Sequence, residues 1–121
     1  MTGMVRGSRA ARKLGRRNDP GLLIMTSLAS GAKHGYALAR DIETFAGVTL
    51  GPGTLYGAIT ALEGHGLIEP VGEDERRRPY QLTAAGRAEL TTAVRSLGAI
   101  AAEGARRLGI ALHVPNPGWA Q

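Results

Sequence analysis

Side chains that could perform catalysis or hold a metal ion are few in this chain of 121 residues, and they are scattered. His34, His65 and His113 fall on different predicted elements without metal-ligand spacing, so we predict no metal site. The GPGTLYG stretch, residues 51–57, could offer backbone amides to an anion, but it lacks the Lys and Ser/Thr of a nucleotide-binding loop. Cysteine is absent, which excludes disulfides, thiolate zinc sites and thiol nucleophiles. The sequence therefore predicts neither an enzyme nor a cofactor-binding protein.

A second group of residues has the chemistry of a DNA-contacting surface. The stretch GPGTLYGAITALEGHG is predicted to form a helix whose apolar face comprises Leu55, Ala58, Ile59 and Leu62. The opposite face is small and bears hydroxyl groups, and Glu63 is the only charged residue near it. Glycine and alanine allow a close approach to bases, while hydroxyl groups can form hydrogen bonds with phosphates or base edges. We predict that the DNA contacts of this helix come from Gly53, Thr54, Tyr56, Gly57 and Thr60.

Other short elements must position this surface. A first helix is predicted to begin at Pro20 and to stop at Gly31. A second helix, YALARDIETFAG, ends at Gly47 and repeats apolar residues at helical spacing, namely Leu38, Ile42 and Phe45. After the third helix, the segments GLIEPV and RPYQLT are predicted to form two short strands joined by a polar loop. Pro70 and Pro79 restrict both strands to edge positions, which predicts a separate two-stranded ribbon.

The last predicted element is a long helix from Ala84 to about Gly109, with Thr83 as its N-cap. Its apolar and small residues recur at spacings of 4, 3, 4, 3 and 4, the seam pattern of a coiled coil. The helix would be roughly 39 Å long at 1.5 Å per residue. That length exceeds a three-helix core of this size, which favours a dimer interface over the alternative of packing within one protomer. The predicted dimer interface consists of Leu90, Val94, Leu97, Ala101, Gly104 and Leu108.

The order of these elements predicts a mainly α (α+β) fold, a winged helix-turn-helix with a two-stranded wing and a long C-terminal dimerisation helix. In such a fold the third helix enters the DNA major groove and the wing contacts the adjacent backbone. Four segments are predicted: a basic flexible N-terminal arm at 1–19, a DNA-binding domain at 20–83, the dimerisation helix at 84–109 and a disordered tail at 110–121.

The formal net charge of +5 is concentrated in the arm. Residues 1–19 hold six of the 15 Lys and Arg residues and a single acid, Asp19, whereas the other nine basic and nine acidic residues balance. Two interpretations stay open. The arm is a solvated, disordered tail, or it follows DNA phosphates through charge and counterion release.

Three motifs in this order resemble the PadR family of bacterial transcriptional regulators: HGYALARDIE, GPGTLYGAITALEGHGLIEP and RRRPYQLTAAGRAEL. The resemblance covers roughly residues 20–108 and implies a homodimeric winged-helix repressor, a class in which many members lose DNA affinity when a small effector binds. It also implies that Tyr36 lies near the DNA backbone and Tyr56 on the recognition helix. The basic wing implied by the resemblance comprises Arg76, Arg77 and Arg78. Gly57 and Ala58 stand where relatives often carry Lys or Arg, and the dimer helix has no aromatic residue.

These observations predict a homodimeric, sequence-specific regulator that binds an inverted-repeat operator in double-stranded DNA and is released by a small-molecule effector. The alternative is a winged-helix module for protein–protein contacts without specific DNA binding, which the neutral folded part and the basic-poor third helix favour. A third interpretation is a dimer whose main task is to capture an effector. Apolar runs such as Leu22–Met25 are too short for a transmembrane helix or a signal-peptide core, so we expect a cytoplasmic protein without a membrane partner.

Overall fold

The computed structural model of this chain describes residues 19–73 and 78–112. Three short helices come first in this part of the chain: α1 (Pro20–Leu28), α2 (Gly35–Ala46) and α3 (Pro52–Gly64). Two strands follow, β1 (Ile68–Pro70) and β2 (Tyr80–Leu82), and then the long helix α4 (Ala84–Leu108). The predicted order of three helices, a hairpin and a long helix is confirmed.

Local capping residues explain where several helices begin and end. Asp19 accepts hydrogen bonds from backbone amides of the first turn of α1, where Pro20 needs no such partner. Thr83 Oγ1 accepts a hydrogen bond from the Gly86 amide at 3.0 Å, which confirms Thr83 as the N-cap of α4. Gly47 ends α2 as predicted, with a φ of 68° that glycine adopts without strain.

The end of α1 differs from its prediction. The helix stops at Leu28, before Gly31, although Gly31 does adopt a positive φ of 141°. The carbonyl of Ser27 accepts hydrogen bonds from the side chains of Ser30 and Lys33. These donors satisfy a carbonyl that the end of the helix leaves without an intrahelical partner, so the chain can leave the helix early.

One hydrophobic core joins the helices to the hairpin. Its buried side chains are Leu23, Ile24, Leu28, Leu38, Ile42, Leu55, Ile59, Leu62, Ile68, Leu82 and Leu90. Each fully buried side chain of this kind stabilises the fold by about 1.5–3 kcal/mol. Phe45 was predicted to share the apolar face of α2, but it is 43% exposed because it lies in the last turn of the helix, at the edge of the core.

The hairpin is antiparallel, with Ile68 opposite Leu82, and both of these side chains enter the core. β2 also pairs on its other side. Lys33 N donates to Tyr80 O at 3.0 Å, and Tyr80 N donates to Lys33 O at 2.9 Å. The predicted two-stranded ribbon is confirmed, and an isolated bridge also connects its base to the segment between α1 and α2.

The first two turns of α4 pack on the rest of the domain. Gly86 lies so close to Leu67 that a Cβ at this position would overlap the Leu67 carbonyl oxygen. Leu90, predicted to lie in the dimer interface, is buried in the core of its own domain, which corrects that assignment. The helix from Leu90 to Leu108 then continues for about 27 Å at 1.5 Å per residue. No helix among residues 19–73 and 78–112 combines the length and apolar character needed to cross a membrane.

Candidate nucleic-acid interface

α3 presents to solvent a surface of mostly small and hydroxyl-bearing residues, with Glu63 as its one charged side chain. Three of its side chains, Leu55, Ile59 and Leu62, are buried and fix the orientation of the helix on the core. The five residues that we predicted to contact DNA are all exposed: Gly53, Thr54, Tyr56, Gly57 and Thr60. Space around the glycines is open, because a Cβ at Gly53 or Gly57 would meet nothing within 4 Å. A flat surface such as a base edge could approach this side of the helix closely.

The start of α2 determines where the Tyr56 side chain can lie. Its ring is 52% exposed and lies against Gly35, the first residue of α2. A Cβ at Gly35 would lie 2.8 Å from Tyr56 Cζ and would overlap the hydroxyl oxygen. The glycine therefore provides the space that the tyrosine ring occupies, and the Tyr56 hydroxyl is held beside the first turn of α2.

The residue after Gly35 is Tyr36, which we predicted to lie near the DNA backbone. Tyr36 is 71% exposed, and its hydroxyl accepts a hydrogen bond from Arg40 Nη1 at 3.1 Å. The guanidinium carbon of Arg40 lies 5.8 Å from the centre of the Tyr36 ring, within the range of a cation–π contact. The hydrogen bond to Tyr36 raises the pKa of Arg40 above its usual range. The sequence analysis did not include Arg40, although its spacing of four residues from Tyr36 is a recognisable signal.

A buried hydrogen bond connects α1 to α2. Ser27, the only buried polar residue in the described part of the chain, donates from Oγ to Asp41 Oδ2 at 2.6 Å. Because the carbonyl of Ser27 also accepts from Lys33, this region joins α1, α2 and the strand pairing of Lys33. The arrangement holds α2 at a fixed position relative to the base of the wing.

The wing is described only at its base. Val71 N donates to Pro79 O at 2.8 Å, and Gln81 Nε2 donates to Glu69 Oε2 at 2.8 Å across the two strands. Arg78 is half-buried beside this base, whereas the other two predicted wing arginines, Arg76 and Arg77, lie outside the described residues. The basic arm also lies outside them except for Asp19, as do residues 113–121 of the predicted tail.

Beyond its docked turns, α4 exposes a continuous apolar side. Leu97 is 49% exposed, Val94 is similarly exposed and Leu108 is more so. The small residues Ala101 and Gly104 are also exposed, at the intervening seam positions. Three further exposed apolar residues escaped the sequence analysis: Ile100, Ile110 and Leu112. The first of these follows Leu97 by three positions, which is a helical spacing that could have identified it.

The last turns of α4 carry a small group of charges. Glu103 accepts hydrogen bonds from Arg106 and from Arg107, the latter from Nε at 2.6 Å. These bonds lower the pKa of the Glu103 carboxyl group below its usual range. The pairs are solvent-exposed and therefore add little to stability, but they engage both arginines at the end of α4.

The model of the transcriptional regulator PadR-like family matches residues 24–92, which extend from within α1 to just beyond the docked part of α4.

Individual proteins agree with this match. Transcriptional regulator Rv3488 from Mycobacterium tuberculosis is 36% identical over 85 residues, covering 68% of this chain and 78% of that protein. An uncharacterized 37.1 kDa protein in transposon TN4556 of Streptomyces fradiae is 49% identical over 72 residues, or 60% of this chain, but the match spans only 21% of that protein's length. The crystal structure of a PadR family transcription regulator from Clostridium difficile R20291 shares the fold, with a TM-score of 0.64 and 23% identity over 74% of this chain and 96% of that chain.

Proposed function

This chain belongs to the PadR-like family of transcriptional regulators, and from that premise we propose that it acts as a homodimer on a specific, two-fold symmetric DNA operator. Membership of this family makes it a DNA-binding regulator and not an enzyme. The dimer, the symmetry of the operator and the direction of regulation are the parts that we propose.

The observation that carries this proposal is the exposed side of α3. Apart from the exposed acid Glu63, its residues are small or hydroxyl-bearing, and its buried side fixes the helix on the core. Tyr56 and Thr60 lie one turn apart on the exposed side and can each offer a hydroxyl group to a base edge or a phosphate. Because α3 has no basic residue, specificity would come from these hydroxyl groups and from close approach.

The positive charge that strengthens binding to DNA would come from residues outside α3. We propose that the arginine-rich loop of the wing, with Arg76, Arg77 and Arg78, contacts the backbone beside the major groove. The six basic residues of the arm would follow phosphates further along the duplex. These contacts do not depend on sequence, and they would strengthen binding to operator and random DNA alike.

The proposed regulation is repression that a small effector relieves. The support for it is the motif resemblance of residues 20–108 to a family in which this behaviour is common. A dimer that occupies a promoter excludes other proteins from the same DNA, and an effector that binds better to the DNA-free dimer would reduce that occupancy.

The test begins with selection of binding sites from random double-stranded DNA by the full chain. The selected sites should contain an inverted repeat whose half-sites lie about one helical turn apart, roughly 34–36 Å. Tyr56→Ala and Thr60→Ala should each weaken binding to the selected site by about tenfold or more if a hydrogen bond to a charged or base acceptor is lost. Binding to random DNA should change less, which fluorescence anisotropy with both DNAs would measure.

Thr92→Ala is the matched control for Thr60→Ala, because Thr92 is an exposed threonine on α4. It should leave both affinities unchanged. If selection yields no enriched sequence, or if both α3 variants bind as the parent does, then α3 does not recognise DNA sequence. That outcome would favour the alternative of a winged helix used for protein–protein contacts.

A further inference from the structure

Basic residues are almost absent from the helix-turn-helix itself. Between Lys33 and Arg76, the sequence contains a single Lys or Arg, which is Arg40. α3 contains none, so neither its exposed side nor the loops around it can neutralise a phosphate. In a helix-turn-helix the helix before the recognition helix crosses the DNA backbone, and here that helix is α2.

Arg40 stands on the exposed side of α2, away from the core. Leu38 and Ile42, on either side of it in sequence, are buried. Tyr36 lies one turn before it, and Tyr36 in turn follows Gly35, against which the Tyr56 ring packs. Tyr36 and Arg40 therefore form an exposed row that begins beside the tyrosine of the recognition helix.

Among the described residues no acid forms an ion pair with Arg40, although Glu43 on the same helix interacts with its charge through space. Both ion pairs among residues 19–73 and 78–112 lie on α4, so no carboxylate in that part of the chain is within 4.0 Å of the guanidinium group. Asp41 accepts the hydrogen bond of Ser27, and Glu43 accepts one from Thr49 Oγ1 at 3.0 Å. The partner that orients Arg40 is an uncharged phenol, which leaves its positive charge uncompensated by any direct contact there.

We infer that Arg40 binds a DNA phosphate at the edge of the major groove and that Tyr36 orients it for this contact. The guanidinium group has five N–H donors, and one bond to Tyr36 leaves the others available. Since the Tyr36 hydroxyl accepts from Arg40, its own proton can be donated to the same phosphate group. The two side chains would thus supply the charge that α3 lacks. This inference rests on the proposed binding of DNA through α3.

The test measures the salt dependence of DNA binding. The full chain, Arg40→Gln and Arg40→Lys are titrated with the selected site and with random duplex at several KCl concentrations. Each phosphate contact contributes about 0.9 to the magnitude of the slope of log K against log salt, so Arg40→Gln should reduce it by about 1.8 per dimer. The reduction should be similar on both DNAs, since a phosphate carries no sequence information. Arg40→Lys retains the charge and should keep most of the slope.

Two further variants separate a phosphate contact from a structural role. Arg95→Gln removes an exposed arginine from α4 and should leave the slope unchanged. Tyr36→Phe should weaken binding when Arg40 is present and should weaken it less in the R40Q background, because the hydroxyl acts partly through the arginine. Thermal unfolding of each variant should match the parent, as both side chains are exposed.

The inference is overturned if the parent binds DNA and Arg40→Gln has the parent's salt slope, even when its affinity is lower. It is also overturned if Tyr36→Phe has the same effect with and without Arg40. A different outcome, in which the parent binds neither DNA above background, would instead reject the proposed function on which the inference depends.

Discussion

Gly35 shows how a single residue can set the position of a functional side chain on another helix. Tyr36 was predicted from the motif resemblance, and Tyr56 from its helix face as well, but neither signal could show that the Tyr56 ring packs on the first residue of α2. That contact joins two helices across a turn, and neither local periodicity nor residue type encodes it. Arg40 was missed for a different reason. Its spacing from Tyr36 is local, but an arginine on an exposed helix is ordinarily a solvated charge.

Replacing Gly35 with alanine should disturb Tyr56 specifically. The new Cβ would overlap the Tyr56 hydroxyl and lie 2.8 Å from Cζ, so the ring must move or the two helices must separate. Overpacking of this kind costs about 1–3 kcal/mol. We expect a lower midpoint of thermal unfolding and weaker binding to the selected DNA site. The unfolding midpoint should recover partly when Tyr56→Ala removes the ring, whereas DNA binding should stay weak.

Gly21→Ala is the matched control, because Gly21 also lies in the first turn of a helix. A Cβ there would make ordinary contacts, 3.6 Å from Asp19 Oδ1 and 3.7 Å from Leu62 Cδ2. This variant should be as stable as the parent or slightly more so, by about 0.4–1 kcal/mol. Equal unfolding midpoints and DNA affinities for Gly35→Ala and Gly21→Ala would contradict the assigned role of Gly35.

At the scale of elements, the sequence predicted best where the signals are local. Gly47 and Thr83 mark a helix end and a helix start through their own conformation and hydrogen bonding, and both positions are confirmed. The hairpin was placed by its change of periodicity and its polar loop. What the sequence missed depends on distant partners: the pairing of Lys33 with Tyr80, and the early end of α1 that accompanies it.

Gly86→Ala should test how α4 is fixed to the domain. The added Cβ would overlap the Leu67 carbonyl oxygen and lie 2.9 Å from the carbonyl carbon, and a backbone group cannot rotate away as a side chain can. We expect the free energy of unfolding to fall by about 1–3 kcal/mol, as for other overpacked sites. Denaturant titration followed by circular dichroism would measure it.

The control for this change lies on the same helix. A Cβ at Gly98 would meet nothing within 4 Å, so Gly98→Ala should stabilise the helix by about 0.4–1 kcal/mol. If Gly86→Ala lowers the free energy of unfolding and Gly98→Ala raises it, the close approach of Gly86 to Leu67 explains the difference. If Gly86→Ala were also stabilising, the first turns of α4 would not be packed as described.

At the scale of the whole molecule, the distribution of charge and apolar surface separates two tasks. The formal positive excess belongs to the arm, whereas α3 has no basic residue. Most of the large apolar side chains that the described part of the chain leaves exposed lie on α4 beyond Leu90, or directly after α4. A second copy of the chain would cover that surface and would place two recognition helices on one DNA molecule, which is the arrangement that we propose.

The sequence could predict the long helix α4, but not which of its apolar residues the same domain buries. The seam pattern treats Leu90 and Leu97 alike, because both occupy equivalent positions of the repeat. Their environments differ since the domain covers only the first turns of α4: Leu90 is in the core, and Leu97 is 49% exposed. Which apolar residues of a long helix face its own domain depends on where that domain ends, and the repeat does not contain this information.

Leu97→Glu should therefore separate the protomers while leaving each domain folded. A carboxylate buried at the interface without a partner costs several kcal/mol. Sedimentation velocity at micromolar concentration should show the parent as a dimer and the variant as a monomer. Ala99→Glu adds the same charge to an exposed position on the other side of α4 and should remain a dimer.

Because one protomer contacts a single half-site, Leu97→Glu should also weaken binding to the inverted repeat more than binding to an isolated half-site. A variant that stays dimeric, or a parent that is monomeric at these concentrations, would remove α4 from the interface and with it the two-fold operator that we propose.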